Sequence, residues 1–423
     1  MYSFDRFIID FFRLFDCFIS NKYITEDNRF IRDRKMTQKE YTAFILSQRS
    51  CTGYIETIRF FTIWLKNDFK TISSQGIGKQ RMFIDPKVFI DMYECFIDEL
   101  YSKFSGFSKF RGYMVGACDG SIIDLPNVTL TCEEFPVNDE NLLKEKRIRA
   151  RVSCILDVHS KHILTAKIIE TTVNEIDLAI EHLENLKQRL DITKLITIYD
   201  RGYPSIELMV KTIDLNSKFL IRLPKNIFRH QIKQMKTNDE IIKINLTNIR
   251  LSHFDDEKLK EKARKMGRLE IRIILIDIGK DEPEILATNL TTEEFSTEDL
   301  KELYKKRWTV ETGFDRLKNL IEIEDFSGIR RPIIEQDFYA HIFVYNLAMT
   351  IKNHAENNIT RTPRNKEEKI IYQSNFAKNN WKYLFIFLRH NIWIANKKRT
   401  NNRIYNKRSI QRTNTIQRKS IQK

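Results

Sequence analysis

From Gly112 onward the sequence breaks into short apolar runs of strand length, and the order of these runs constrains the fold more than any other feature. Tyr113 to Cys118, Ala150 to Val158 and His162 to Ile169 come first; helical spacing follows from about Ile176 to Leu190, and a further run spans Leu195 to Tyr199. Three strands, a helix and a strand predict a mixed α/β core. A charged loop from Thr131 to Arg149 separates the first two strands. Between about Leu215 and Asn289 strand patterns return at Phe219 to Arg222, Ile241 to Leu246, Leu269 to Ile278 and Glu284 to Ala287, which reads as a β-rich insertion inside the core. A last core helix is expected from Ser296, where Ser296 and Asp299 have capping-box spacing, to about Ile321.

Helical patterns flank this core. Ile55, Ile58, Phe61 and Leu65 share one helical face near the start, and Tyr339 to Lys352 form another helical segment near the end. The reading is therefore three regions: a helical domain over 1–110 that could bind DNA ends, an α/β domain over 111–325 with its insertion at about 215–290, and a helical region with a basic tail over 326–423. Ser73 to Arg81 could be a turn and a short recognition helix offering Lys79, Gln80 and Arg81 to phosphates and base edges. Gly76 and Gly78 weaken such a helix, and a plain helical scaffold explains the segment equally well.

Charge placement narrows the partners. The chain carries a net charge of +15, yet Lys369 to Lys423 hold 14 Lys and Arg and no acid, which leaves 58 basic against 57 acidic residues in the first 368. A polyanion is the natural partner of such a tail, and a solvated tail is the bland alternative. The apolar stretch Phe4 to Ile19 is broken by Asp5, Arg6, Asp10, Arg13 and Asp16, so neither a spanning helix nor a signal peptide is expected, and a cytoplasmic location is. Six scattered cysteines contain no CxxC pair, which argues against a zinc site or a disulfide framework.

Two carboxylates stand where strands are expected to end. Asp119 follows the Tyr113 to Cys118 run and precedes Gly120-Ser121; Asp200 follows Leu195 to Tyr199 and precedes Arg201-Gly202. Carboxylates at strand ends of one sheet can converge, and phosphoryl transfer at such a site needs hard oxygen ligands for two divalent cations. On a continuous helix Tyr304, Arg307, Glu311 and Lys318 fall within an arc of about 60°. Leu303, Val310, Phe314, Leu317 and Ile321 form its apolar stripe. Glu311 could complete the metal site, with Arg307 and Lys318 as phosphate clamps and Tyr304 as a donor or stacking partner. A surface helix laced with ion pairs such as Arg307 with Glu311 is the alternative.

The string Tyr304-x2-Arg307-x3-Glu311-x6-Lys318 resembles the Tyr-Arg-Glu-Lys signature of a branch of insertion-sequence transposases of the DDE class. Asp119-Gly-Ser with Leu125-Pro126, and Asp200-Arg-Gly-Tyr-Pro-Ser, resemble that family's first and second motifs in the same order. The resemblance spans about residues 112 to 330. It implies a ribonuclease H-like core interrupted by a β-rich insertion. It further implies cleavage at the ends of an insertion sequence and strand transfer into target DNA, by dimers on paired ends. Asp119, Asp200 and Glu311 would hold two Mg²⁺ ions, for which Mn²⁺ could substitute, and Tyr304, Arg307 and Lys318 would hold terminal phosphates. The setting it implies is a prokaryotic cytoplasm, at the nucleoid when DNA is bound. Some members hold a flipped base with a tryptophan of the insertion, but Trp64, Trp308, Trp381 and Trp393 all lie outside it, so the hairpin route stays open. Trp308 is expected to pack on a neighbouring segment.

Two alternatives remain: a nuclease of the same fold that cuts without joining, and a non-catalytic DNA-binding derivative. Asp157, His159 and His162 read as hairpin residues rather than metal ligands, Asn174 to Asp177 as a helix start, and Arg201 as either structural or phosphate-facing.

Overall fold

The computed structural model describes residues 7, 11, 15–31, 36–48, 51–64, 72–104, 109–136, 147–277, 283–313 and 323–357. Eight strands form one sheet: β1 (Met114–Asp124), β2 (Arg149–Asp157), β3 (Ile163–Glu170), β4 (Leu195–Tyr199), β5 (Lys218–Leu223), β6 (Asp239–Asn245), β7 (Arg268–Ile276) and β8 (Glu284–Thr288). The helices used below are α1 (Gln38–Ser47), α2 (Ser74–Arg81), α3 (Lys87–Lys103), α4 (Glu175–Arg189), α5 (Ile206–Asp214), α6 (Arg229–Lys233), α7 (Glu257–Met266), α8 (Thr297–Lys305) and α9 (Arg331–Asn357). No described helix is long and apolar enough to cross a membrane.

The strand order is β3-β2-β1-β4-β5-β8-β7-β6. β1, β2 and β3 pair antiparallel, and β4 and β5 run parallel to β1. That is a ribonuclease H-like core. The insertion does not form a separate unit, because β8, β7 and β6 pair antiparallel in succession beyond β5 and extend the same sheet. β5, expected within the insertion, is the fifth core strand.

Strand alternation gives the core sheet two covered faces. On one, Ser153 of β2 and Thr165 of β3 bond the two ring nitrogens of His182 in α4, at 3.1 Å each. α4 starts where the Asn174 side chain accepts from the Ile176 N–H, with Glu175 and Asp177 in its first turn and Lys187 and Arg189 in its last, all complementary to the helix dipole. On the other face lie α3 and α9, which pack against each other and against β3. Asn346 of α9 bonds both backbone groups of Ile163, at 2.8 and 2.9 Å.

The helical flanks meet through a buried polar junction. Arg81, at the end of α2, is 2% exposed and donates to Asp337 Oδ1 at 2.5 Å, to Gln336 Oε1 at 2.9 Å and to Ser327 Oγ at 2.5 Å. Gln336 returns bonds to the carbonyls of Arg81 and Ile84. Arg81 thus staples the N-terminal helices to α9, and its expected place at a DNA surface is corrected: a guanidinium with these partners and no exposure cannot reach a phosphate. The early apolar face is also corrected in part. Phe61 is buried, but Ile55 and Ile58 are 45% and 39% exposed; Leu65 lies outside the described residues.

The last core helix differs from expectation as well. The Ser296 capping box forms, with Ser296 accepting from the Asp299 N–H and Asp299 accepting from the Ser296 N–H. α8 nevertheless stops at Lys305, Lys306 and Arg307 form a turn, and a new helical stretch covers 308–313. No Pro or Gly marks this break in the sequence.

Candidate active site on the open edge of the sheet

Asp119 does not end its strand. β1 continues to Asp124 because β2 pairs with it along the whole length, Asp119 opposite Cys154. Its other neighbour stops earlier: β1 and β4 pair only as far as Ala117 with Ile198, and β4 ends at Tyr199. Asp119 and Asp200 therefore stand nearly level, on adjacent strands, where the sheet opens on one side. Asp200 Oδ1 accepts from the Gly202 N–H at 2.7 Å, and Asp119 Oδ1 accepts from the Gly120 N–H at 2.9 Å. Gly202 fits this turn because any Cβ there would lie 3.0 Å from the Asp200 carboxylate.

Glu311 reaches the same place from the stretch 308–313. Gly313, two residues further on, lies so close to Leu156 of β2 that a Cβ would fall 2.6 Å from a Leu156 methyl. This close approach seats the Glu311 turn on the sheet face that carries Asp119 and Cys154, since Ala117 pairs with Leu156 and Asp119 with Cys154. The electrostatics agree. Burial pushes the Asp119 carboxyl up to about 6, and the charges of Asp200 and Glu311 push it the same way, against the Gly120 N–H and Arg307. Arg307 Nη2 donates to Glu311 Oε1 at 2.6 Å, and Arg307 is 9% exposed.

Among the described residues no three His, Cys, Asp or Glu side chains are gathered tightly enough to hold a metal ion. The three carboxylates share one field without closing into a cage, and Arg307 is the charge that now neutralises Glu311. The donor chemistry still suits a hard divalent cation: all oxygen, net negative, with Asp119 raised by burial and further by like charges that such a cation would offset.

Tyr304 sits beside this edge. Its hydroxyl is buried with no partner among the described residues; burial raises it to about 12, and Arg307, Arg222, Asp200 and Glu284 are its charged neighbours. Lys318 lies outside the described residues. Lys79 is exposed on α2. Trp308 is 64% exposed, which corrects its expected packing role, because the break at Lys306 and Arg307 starts a new turn and resets its direction. The Arg307 guanidinium lies 5.1 Å from the Trp308 ring centroid. Arg201 is exposed.

One neighbour was not legible beforehand. Glu175, read only as part of a helix start, lies over Gly120, where a Cβ would stand 3.2 Å from its Oε1, and it pairs with Arg151 of β2. Its carboxylate occupies the opposite face of β1 from Asp119. Asp157, His159 and His162 form a hairpin turn: Asp157 is buried and accepts from the Tyr101 hydroxyl at 2.5 Å and the His159 N–H at 2.8 Å.

Comparison with known proteins bears on this geometry. A probable transposase for insertion sequence element IS5377 of Geobacillus stearothermophilus is 23% identical over 185 residues, 44% of this chain and 45% of that protein. The aligned part is thus less than half of that relative. The cryo-EM structure of a piggyBac transposase synaptic complex with hairpin DNA superposes with a TM-score of 0.47 at 12% identity, covering 94% of this chain and 83% of the other. The sequence model of the family described as "Transposase DDE domain" matches residues 115–347, more than half of the chain and every strand of the sheet but the first residue of β1. With Asp119, Asp200 and Glu311 all inside that match, the chain belongs to the transposase DDE domain family.

Proposed function

We propose that this protein is a DNA transposase that cuts at the ends of an insertion sequence and joins the freed ends to target DNA. The observation that carries the proposal is the approach of Asp119, Asp200 and Glu311 from three separate elements to one edge, close enough that the charges of Asp200 and Glu311 both act on the Asp119 carboxyl. Asp119, Asp200 and Glu311 would hold the divalent ions, Mg²⁺ in two positions with Mn²⁺ as a substitute, which would activate the attacking oxygen and stabilise the leaving one. Arg307 lies against Glu311 and would pass from that carboxylate to a phosphate oxygen when DNA enters, with Tyr304 able to donate its hydroxyl, which has no partner among the described residues, beside it. Lys318 would add a second phosphate contact, and Lys79 an end-binding one. Action as a dimer on paired ends, in a prokaryotic cytoplasm and at the nucleoid, completes the reading.

The test is a strand-transfer assay with Mg²⁺, the terminal repeats flanking the gene, and Glu311→Gln alongside. Metal-dependent cutting and joining, both lost in the variant, are expected. Cutting without joining would replace the proposal with a nuclease; end binding by folded protein with neither reaction would replace it with a non-catalytic DNA-binding derivative.

A further inference from the structure

Residues 224–238 connect β5 to β6, and strand direction fixes where they run. β5 is parallel to β4, so both end on the edge that carries Asp200. β6 begins opposite Ile274, near the end of β7, and the antiparallel pairings place that end on the same edge. The connector therefore crosses the active edge, from beside Asp200 out to the last strand of the sheet.

Its composition is one-sided. From Leu215 to Asn238 there is no Asp or Glu, while Lys218, Arg222, Lys225, Arg229, Lys233 and Lys236 are all basic. The segment is also built. Ile227, Phe228, Ile232 and Met235 pack inward, and Arg229, His230, Lys233 and Lys236 face solvent. Phe228 takes a left-handed φ of 54°, an unfavourable conformation for a bulky residue, and so turns the chain into α6. Arg229 and Lys233 then stand one helical turn apart on its outer side.

Other cations in and beside the insertion region show what a structural role looks like. Arg222 pairs with Glu284 at 2.7 Å, Arg272 with Asp239 at 2.5 Å, and Lys211 with Asp256 at 3.5 Å. Arg229, Lys233 and Lys236 form no ion pair with another described residue. Three exposed cations on an ordered ridge, with no acid in the segment to answer them, suit an anion from outside.

We infer that residues 224–238 are a ridge that tracks the phosphate backbone of duplex DNA leading away from the active edge, through Arg229, Lys233 and Lys236. The inference rests on the transposase reading and adds a surface separate from the carboxylates and their clamps. Contacts of this type position a duplex and carry no sequence information. Each lost phosphate contact lowers the slope of log affinity against log salt by about 0.9.

The experiment measures binding of the full chain to a labelled duplex of arbitrary sequence, from about 50 to about 200 mM salt. It compares the wild type, the triple variant Arg229→Gln, Lys233→Gln, Lys236→Gln, and a control with the same charge loss, Lys258→Gln, Lys265→Gln, Arg268→Gln. The control residues are exposed on α7 and at the start of β7, and Arg268 stands at the opposite edge of the sheet. The expected result is a slope shallower by between about 2 and about 3 in the ridge variant alone, with its melting temperature unchanged. A slope equal to that of the wild type, or a loss shared by the control, overturns the ridge. Wild-type protein that binds no duplex at any salt overturns the transposase reading and the ridge with it.

Discussion

Two arginine–carboxylate pairs of nearly equal length sit in opposite settings. Arg81 and Asp337 are 2.5 Å apart with side chains 2% and 1% exposed; Arg307 and Glu311 are 2.6 Å apart with side chains 11% and 38% exposed. The first is closed in by Gln336 and Ser327, so its guanidinium has partners on all three nitrogens. The second involves one guanidinium nitrogen and a carboxylate open to water. Chemistry alone does not separate a staple from a site. Burial and the count of satisfied donors do, because a sealed pair has no alternative partner while an open one can exchange its partner for a ligand.

Breaking the sealed pair should have the largest effect. Arg81→Ala leaves Asp337 buried and uncompensated, for an expected loss of about 3 to 5 kcal/mol in urea unfolding. A loss below about 1 kcal/mol would mean that this junction behaves like a surface pair, and the contrast would collapse. Glu311→Gln is expected to do the reverse. Unfolding free energy should move by no more than about 1 kcal/mol, as for exposed pairs. Strand cleavage should fall by more than about 100-fold, the upper end for merely disturbing a metal-supporting neighbour.

The sequence made the carboxylates legible because each follows a strong local signal: an apolar run before Asp119, another before Asp200, and Ser296-capped helical spacing before Glu311. Its failures over register, burial and sheet extension share a cause, which is dependence on partners far along the chain. β1 runs past Asp119 only because β2 pairs with it, and no local pattern announces that register. Arg81 looks like any basic helical residue until Asp337, 256 positions away, closes on it. The helix wheel that grouped Tyr304, Arg307, Glu311 and Lys318 assumed an unbroken helix, and the turn at Lys306 and Arg307 breaks it; Arg307 and Glu311 still meet, because they stay four residues apart within one local bend. The insertion strands were readable individually. Their extension of the core sheet was not, since it lies in the β5 to β8 pairing.

The open edge carries a stability cost that pH should expose. Asp119 has its carboxyl raised from 3.8 to about 6, first by burial. At about pH 3 and below it is largely neutral in folded and unfolded chains alike, so folding gains nearly the full benefit. As pH climbs toward 6 the unfolded chain ionises first, and stability falls until the folded group ionises too. In chelator-treated protein, Asp119→Asn should therefore melt higher than wild type at pH 7, with the advantage shrinking toward nothing by about pH 3. Adding Mg²⁺ should raise the wild-type melting temperature and leave the variant nearly still. An advantage that does not change with pH would remove like-charge crowding from the account of the edge.

The smallest effects should separate edge from core within one strand. Gly116 and Gly120 are both in β1, and neither has room to spare: an added Cβ would stand 2.7 Å from the Ile155 Cγ2 at Gly116 and 3.2 Å from the Glu175 Oε1 at Gly120. The obstacles differ in kind. Ile155 is fully buried in the sheet and a methyl forced against it must displace packed core, at an expected cost of about 1 to 3 kcal/mol for Gly116→Ala. Glu175 presents the far end of a flexible side chain at the partly open edge, and it can withdraw by a few tenths of an ångström while keeping Arg151. Gly120→Ala should therefore cost less than about 1 kcal/mol, in the ordinary range for substitutions that avoid the core. Urea unfolding of the two variants side by side decides it. Equal losses would mean that β1 at Gly120, on the face covered by Glu175, is packed as rigidly as the core around Ile155.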